Sequence, residues 1–224
     1  MNLNKQKGNM YQDVTHTGNV IKGRCSHDCE YCYMKRFGSQ PDLRIDRNEF
    51  KIPTGGGKTI FVGSSTDMWA EDVKSTWITA VLQHCCDYPK NKYLFQSKNP
   101  KRFLEFKDRY PPDTILCTTM ESNIFHIEYM GRAPSPEFRA EAMSRIDWCP
   151  KHVTVEPVMR FDPTNFYRLI RKCKPVQVNI GTDTRGILPP VQWNQIHALA
   201  TALKFFGIKV VFKKSLLKLS GGIL

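Results

Sequence analysis

The chain has 224 residues, with 33 Lys plus Arg against 21 Asp plus Glu, and a net charge of +12. Its 41% hydrophobic content suits one globular domain with a sizeable core; the length excludes two large domains, and no stretch approaches the ~20 apolar residues of a membrane span. The positive balance favours a polyanionic partner, nucleic acid foremost, and the polar first residues lack an apolar signal region, so a cytoplasmic protein is expected.

Residues 1–17 show no periodicity and read as an irregular N-terminal arm. Gly18-Asn19-Val20-Ile21 reads as a short strand leading into Cys25-Ser26-His27-Asp28-Cys29-Glu30-Tyr31-Cys32, after which residues 28–37 read as a helix stopped by Gly38. Residues 39–58 are a connection rich in Pro, Asp, Arg and Gly. It ends in Gly55-Gly56-Gly57-Lys58-Thr59, which is not a phosphate loop: Ile52 stands where the pattern needs Gly, and a strand follows rather than a helix.

From there strand and helix alternate. Thr59–Gly63 is a buried-type strand, and residues 71–86 carry one apolar helical face through Val73, Trp77, Val81 and Cys85. Tyr93–Phe95 is a strand; Asn99 and Pro100 then open a helix as cap and first residue. Thr114–Thr118 is the next strand, and Ser135-Pro136 repeats the cap-and-proline device. His152–Val155, a helix opened by Asp162-Pro163, and Val176–Ile180 follow. A helix over 190–206 closed by Gly207 and a last strand, Ile208–Phe212, complete the pattern. Such alternation implies parallel strands joined by crossover helices. The expected fold is an α/β partial (β/α)6 barrel of parallel strands with outer helices. It occupies residues 18–215, between the arm and a C-terminal tail at 216–224; an open doubly wound sheet is the alternative.

In parallel α/β folds the site lies at the C-terminal strand ends. Those ends carry the cysteine loop, then Ser64, Ser65 and Asp67, then Gln96, Ser97 and Lys98, then Thr119 and Glu121, then Glu156. Asn179, Thr182, Asp183 and Arg185 follow, and last Lys213 and Lys214. The remaining cysteines, Cys85, Cys86, Cys117, Cys149 and Cys173, sit in apolar surroundings and read as buried, reduced thiols. Three close thiolates point to a metal centre with one position left open. A structural zinc with His27 as fourth ligand is the bland reading, and no second cysteine pair supports it.

The spacing C-x3-C-x2-C with an aromatic before the last cysteine, placed after a first strand, resembles the radical S-adenosylmethionine (SAM) superfamily. Blocks at 61–67, 96–102, 120–123, 155–157, 179–181 and 211–214 extend the likeness to a group of small, often phage-encoded radical-SAM proteins. That group is more distantly similar to spore photoproduct lyase. The resemblance implies a [4Fe–4S] cluster on Cys25, Cys29 and Cys32, with SAM on the fourth iron. It also implies an external one-electron reductant of flavodoxin or ferredoxin type and a 5′-deoxyadenosyl radical that abstracts hydrogen from the substrate. Tyr31 would lie near the adenine, and Ser64, Ser65 and Asp67 would hold the methionine end, in place of the usual Gly-Gly-Glu segment. Thr119 and Glu121 would meet the carboxylate or ribose, and Asn179 to Asp183 the adenine or ribose. Lys98, Glu156, Arg185 and Lys213 are left for substrate contact or proton transfer, and Cys117 is a candidate hydrogen donor. Charge and resemblance together point to a nucleic-acid base or nucleotide as substrate, with Trp69 or Phe125 as stacking surfaces. A peptide or small metabolite is the rival substrate, and a non-catalytic, metal-stabilised nucleic-acid-binding module the rival class.

Overall fold

The computed structural model describes residues 1–216. Strands β1 (Leu3–Lys5), β2 (His16–Gly18), β3 (Ile21–Lys22), β4 (Arg44–Ile45) and β5 (Thr59–Val62) precede helix α1 (Ser75–Cys86). Then come β6 (Lys92–Ser97), β7 (Thr114–Thr119), α2 (Ile127–Met130), α3 (Pro136–Ser144), β8 (Lys151–Val155), α4 (Pro163–Lys172), β9 (Gln177–Ile180), α5 (Trp193–Phe205) and β10 (Lys209–Phe212). The main sheet has eight strands in the order β1-β2-β5-β6-β7-β8-β9-β10. Every neighbouring pair from β2 to β10 is parallel, and β1 adds antiparallel to β2. Among the described residues the two ends do not pair, so the barrel is open, as expected.

Strand alternation sorts the residues. Ile60, Val62, Tyr93, Phe95, Leu116, Val153, Val155, Val178 and Ile180 join one core with Ile78, Leu82, Met143, Phe166 and Leu199 from the helices. The intervening residues, Phe61, Leu94 and Cys117, form a second cluster with Tyr11 and Val14. Residues 1–17 therefore differ from the expected irregular arm: they supply two paired strands and an aromatic plug for the barrel's inner face. The Tyr11 ring lies 5.9 Å from Phe61, and its hydroxyl bonds Gln96 and Thr154.

Two local expectations are corrected. The helix over 28–37 shrinks to a 3-10 helix, Tyr33–Phe37, because Asp28 takes a positive φ of 49° and Cys32 stays non-helical, with ψ at 123°. The segment opened by Asn99 is a 3-10 helix, Pro100–Arg109, kinked at Phe106, and Asn99 turns its amide to Glu71 (3.2 Å) instead of capping. The caps on α3 and α4 form as read: Ser135 accepts from Phe138 N (3.5 Å) and Asp162 from Asn165 N (2.8 Å). The tail expected at 216–224 lies, from 217 onward, outside the described residues. Among the described residues no helix is long and apolar enough to cross a membrane.

Candidate functional site

A cavity of about 730 Å3 opens at the C-terminal ends of the parallel strands. Cys25, Cys29 and Cys32 line it together with Tyr31, Ser64, Ser65, Asp67, Lys98, Thr119, Glu156 and Asp183. Gln96, Thr182 and Lys213 complete the inner wall, and Lys7, Asn9, Met10 and Tyr11 reach it from the arm. The volume falls in the range of small-molecule and cofactor sites.

The cysteine loop is held by neighbours rather than by its own helix. Asp67 Oδ2 accepts from His27 Nε2, Ser97 Oγ and the Lys98 backbone N, each at 2.9 Å, and its Oδ1 accepts from Trp69 N at 2.9 Å. From the other side, Arg132 N donates to His27 O (2.8 Å), Arg132 Nε to Ser26 O (2.9 Å), and Glu30 N to Tyr129 O (2.8 Å). Arg185 Nη1 bonds Glu30 O. Gly131, at φ +60°, lets this second segment approach: a Cβ there would collide with the His27 and Asp28 carbonyls.

Asp67 is thus a brace for the loop, with both carboxylate oxygens engaged, while it also lines the cavity where its expected methionine-end contact would lie. Burial alone would raise its carboxyl; the His27 bond and the two backbone N–H bonds outweigh that and hold it below the usual carboxylate range. An iron site on this loop depends on the brace. His27→Leu is expected to lower iron affinity about 10–100-fold in chelator competition, the usual cost of losing such a partner. His27→Gln, which keeps an N–H to offer Asp67, restores most of it.

Glu121 is a second support. It is fully buried, accepts from Arg139 Nη1 at 2.7 Å and from the Tyr31 hydroxyl, and lies 3.8 Å from Lys98 Nζ. It stands behind the cavity wall and does not line it, which corrects its expected place beside a carboxylate or ribose. Burial pushes its carboxyl up, and the charges of Arg139 and Lys98 override that and bring it below the usual range. Lys98 lines the cavity, with its Nζ 5.2 Å over the Tyr31 ring. Its pKa is raised, because Cys29 and Glu121 outweigh burial.

Other expected contacts divide the same way. Ser64 and Ser65 line the cavity and are fixed by Asn19: Ser64 Oγ accepts from its amide at 3.1 Å, and Ser65 N donates to its carbonyl at 2.9 Å. Thr119 accepts from Gln96 Nε2 (2.9 Å). Asp183 lines the cavity while its carboxylate accepts from Arg185 N (2.8 Å), Ile187 N (2.6 Å) and Leu188 N (3.0 Å). Glu156 pairs with Lys213 and accepts from Asn9 Nδ2 at 2.7 Å. Burial raises its carboxyl, with Lys213 opposing.

Asn179 and Cys117 do not reach the cavity. Asn179 is buried on β9, where its Oδ1 accepts from Gln177 Nε2 at 2.9 Å and its Nδ2 has no partner among the described residues. Cys117 lies beneath Tyr11, 3.5 Å from Thr154 Oγ1, with its thiol pushed up to about 12 by burial. Trp69 is not a stacking surface: it is fully buried, its ring 4.9 Å from Phe103. Phe125 is 38% exposed.

The donor set fits a multi-iron cluster. Among the described residues no three His, Cys, Asp or Glu side chains converge on one point to hold a single ion. A cluster does not need that, since each thiolate takes a separate iron. His27 Nε2 is engaged by Asp67, so it is not offered to a zinc ion. Burial pushes the Cys25 thiol up to about 12, with Asp67 adding to it, and burial also raises Cys29, with Lys98 opposing. Ionising these thiols therefore calls for the metal's own charge.

No protein-family model matches the chain. Among solved structures, it is similar to a spore photoproduct lyase double mutant with bound AdoMet and dinucleoside spore photoproduct: TM-score 0.61, 12% identity, 89% of this chain and 64% of that one. A single mutant with dinucleoside spore photoproduct matches at TM-score 0.62 and 11% identity, over 89% and 63%. A further lyase complexed with dinucleoside spore photoproduct matches at TM-score 0.55 and 11% identity, over 89% and 64%. The chain thus spans about 64% of the length of the structures it matches. At these identities the likeness is one of fold: the open, mostly parallel barrel built here is also the architecture of spore photoproduct lyase.

Proposed function

We propose that the chain is a radical-SAM enzyme acting on a nucleic-acid base or nucleotide. The observation that carries the reading is the lining of the cavity: three thiols from one short loop share a wall with Lys98, Tyr31 and the Ser64-Ser65 turn, at the C-terminal ends of parallel strands. The fold similarity to a structure with bound AdoMet and a dinucleoside lesion adds to it. A [4Fe–4S] cluster held by three thiolates supplies, when bound, the electron that cleaves SAM to methionine and a radical able to take hydrogen from substrate.

The protein's own part is to bind, orient and exclude water. Cys25, Cys29 and Cys32 would each hold one iron. Lys98, on the cavity wall, would offer its ammonium to the carboxylate of SAM. Tyr31, held by Glu121, gives that wall a fixed aromatic face. Across the cavity, Glu156 and Lys213 place an acceptor and a donor side by side, suited to the polar edge of a base. The plug formed by Tyr11, Val14, Phe61 and Leu94 closes the barrel beneath and keeps water from the reacting atoms.

Anaerobic reconstitution tests the reading. The protein should bind about four irons and four sulfides per chain, as one cubane cluster requires, and release 5′-deoxyadenosine when given SAM and dithionite. A preparation that holds zinc and never cleaves SAM under dithionite would refute it.

A further inference from the structure

We infer that the mouth of the cavity is a docking track for a polynucleotide strand, whose phosphates stay outside while one base enters. The inference rests on the reading above and extends it from a base or nucleotide to a polymer.

Charge inside the cavity is locally balanced. Lys98 faces Glu121, Lys213 pairs with Glu156, and Lys35 is tied to Asp28 (3.2 Å) and Glu30 (2.8 Å). Of the cations lining the cavity, those with no acidic partner among the described residues are Lys7, Arg24 and Arg36, and all three are exposed. They come from separate segments: the arm, the residue before Cys25, and the 3-10 helix after Cys32.

A small substrate enclosed by the cavity would gain little from exposed charges at its rim. A strand threading past the rim would place successive phosphates against them and release its counterions. With Lys98, Lys213 and Lys35 already paired, the cavity offers an entering phosphate no free inner cation, and the Asp183 carboxylate opposes it, which keeps the backbone outside and admits a neutral base.

The same short helix supplies the aromatic element. Side chains three apart eclipse on a 3-10 helix, so Tyr33 and Arg36 share a face, and both line the cavity. The Tyr33 hydroxyl is fixed by a 3.0 Å bond to Ser64 O. Phe37, next to Arg36 but outside the cavity lining, is 70% exposed, far more than a packed core residue shows, and extends the aromatic surface beyond the mouth. Aromatic faces interleaved with unpaired cations are the usual makeup of a single-strand binding surface.

The test is anisotropy of a labelled single-stranded oligonucleotide on the reconstituted protein across a salt series. The triple variant Lys7→Gln, Arg24→Gln, Arg36→Gln should lose about 2 units of the slope of log K against log salt, at roughly 0.7 per phosphate contact on a single strand. A control of equal net charge, Lys172→Gln, Lys204→Gln, Lys209→Gln, lies toward the N-terminal ends of the strands and should keep the parent slope. Phe37→Ala should weaken binding several-fold with the slope unchanged. Equal slopes in the two triple variants, competition by a mononucleotide as strong as by the oligonucleotide, or no binding by the parent would each overturn the inference. SAM cleavage by the parent, measured in parallel, decides the radical reading separately.

Discussion

Cys29→Ala is expected to abolish 5′-deoxyadenosine release, to background, and to leave the anaerobically reconstituted protein without the broad visible absorption of a cluster. Cys29 is the central thiol of the loop, 5% exposed, with its Sγ donating to Met130 O at 3.4 Å. It belongs to a small cluster with Tyr31, Met130, Ala133 and Met159, separate from the two that build the barrel. Truncation there removes one sulfur and little apolar area, so urea unfolding of the metal-free protein should change by no more than about 1 kcal/mol. Loss of iron with an intact fold is therefore the signature, and a Cys29→Ala protein that still cleaves SAM would contradict the assignment. Cys149→Ser is the matched control. Cys149 is half-buried, packs against the main core and does not line the cavity, so iron content and SAM cleavage should follow the parent. The contrast separates a cluster ligand from a generic sensitivity to losing a thiol.

The position of the loop was legible in the residues, because its spacing is local and the strands around it are readable. Strands covered on both faces read as short, largely apolar runs, such as Ile60-Phe61-Val62 and Val153-Thr154-Val155, and helices α3 and α4 carry proline and polar caps. What each polar strand end does was much less legible. Ser64, Lys98 and Glu156 do line the cavity, while Glu121, two residues past the end of β7 at Thr119, turns behind the wall to Arg139. Nothing near Glu121 in sequence announces that partner, which lies on the inward face of α3 among Ala140, Ala142 and Met143. A charged residue on such an apolar face was the available signal, and it points to a buried ion pair rather than to a ligand.

The arm was illegible for a related reason. Tyr11 and Val14 sit in irregular chain, and the surface they cover, Phe61, Leu94 and Cys117, is assembled from three different strands. No periodicity in residues 1–17 can encode contacts made with the inside of a barrel. His27 was hidden similarly. Between two cysteines it looks like a spare metal ligand, and only the meeting of the loop with the ends of β5 and β6 gives its Nε2 to Asp67.

Arg139→Met is expected to destabilise the metal-free protein by about 3–5 kcal/mol, the range for breaking a buried ion pair by removing one partner. Both side chains have no exposure, and Arg139 also donates to Thr119 O (3.0 Å) and Pro134 O (2.6 Å). Without the guanidinium, Glu121 keeps only the Tyr31 hydroxyl and Lys98 at 3.8 Å. Arg139 Nη2 has no partner among the described residues, which offsets part of the pair's worth and places the value toward the lower end. The pH dependence identifies the cause. The folded Glu121 carboxyl titrates below its ordinary value, so the pair's contribution is fully present above the unfolded glutamate pKa of about 4.3. It is lost as pH falls through the lower folded value. Urea unfolding of parent and variant should therefore differ most near neutral pH and converge in acid. The double replacement Arg139→Met with Glu121→Leu removes the stranded charge and should recover part of the loss. A constant difference across pH, or no recovery in the double variant, would mean that Arg139 acts through packing alone. Tyr31 and Lys98 both rest on Glu121, so the same pair also fixes the wall on which SAM is proposed to lie. The single variant should therefore bind SAM more weakly even at temperatures where it remains folded.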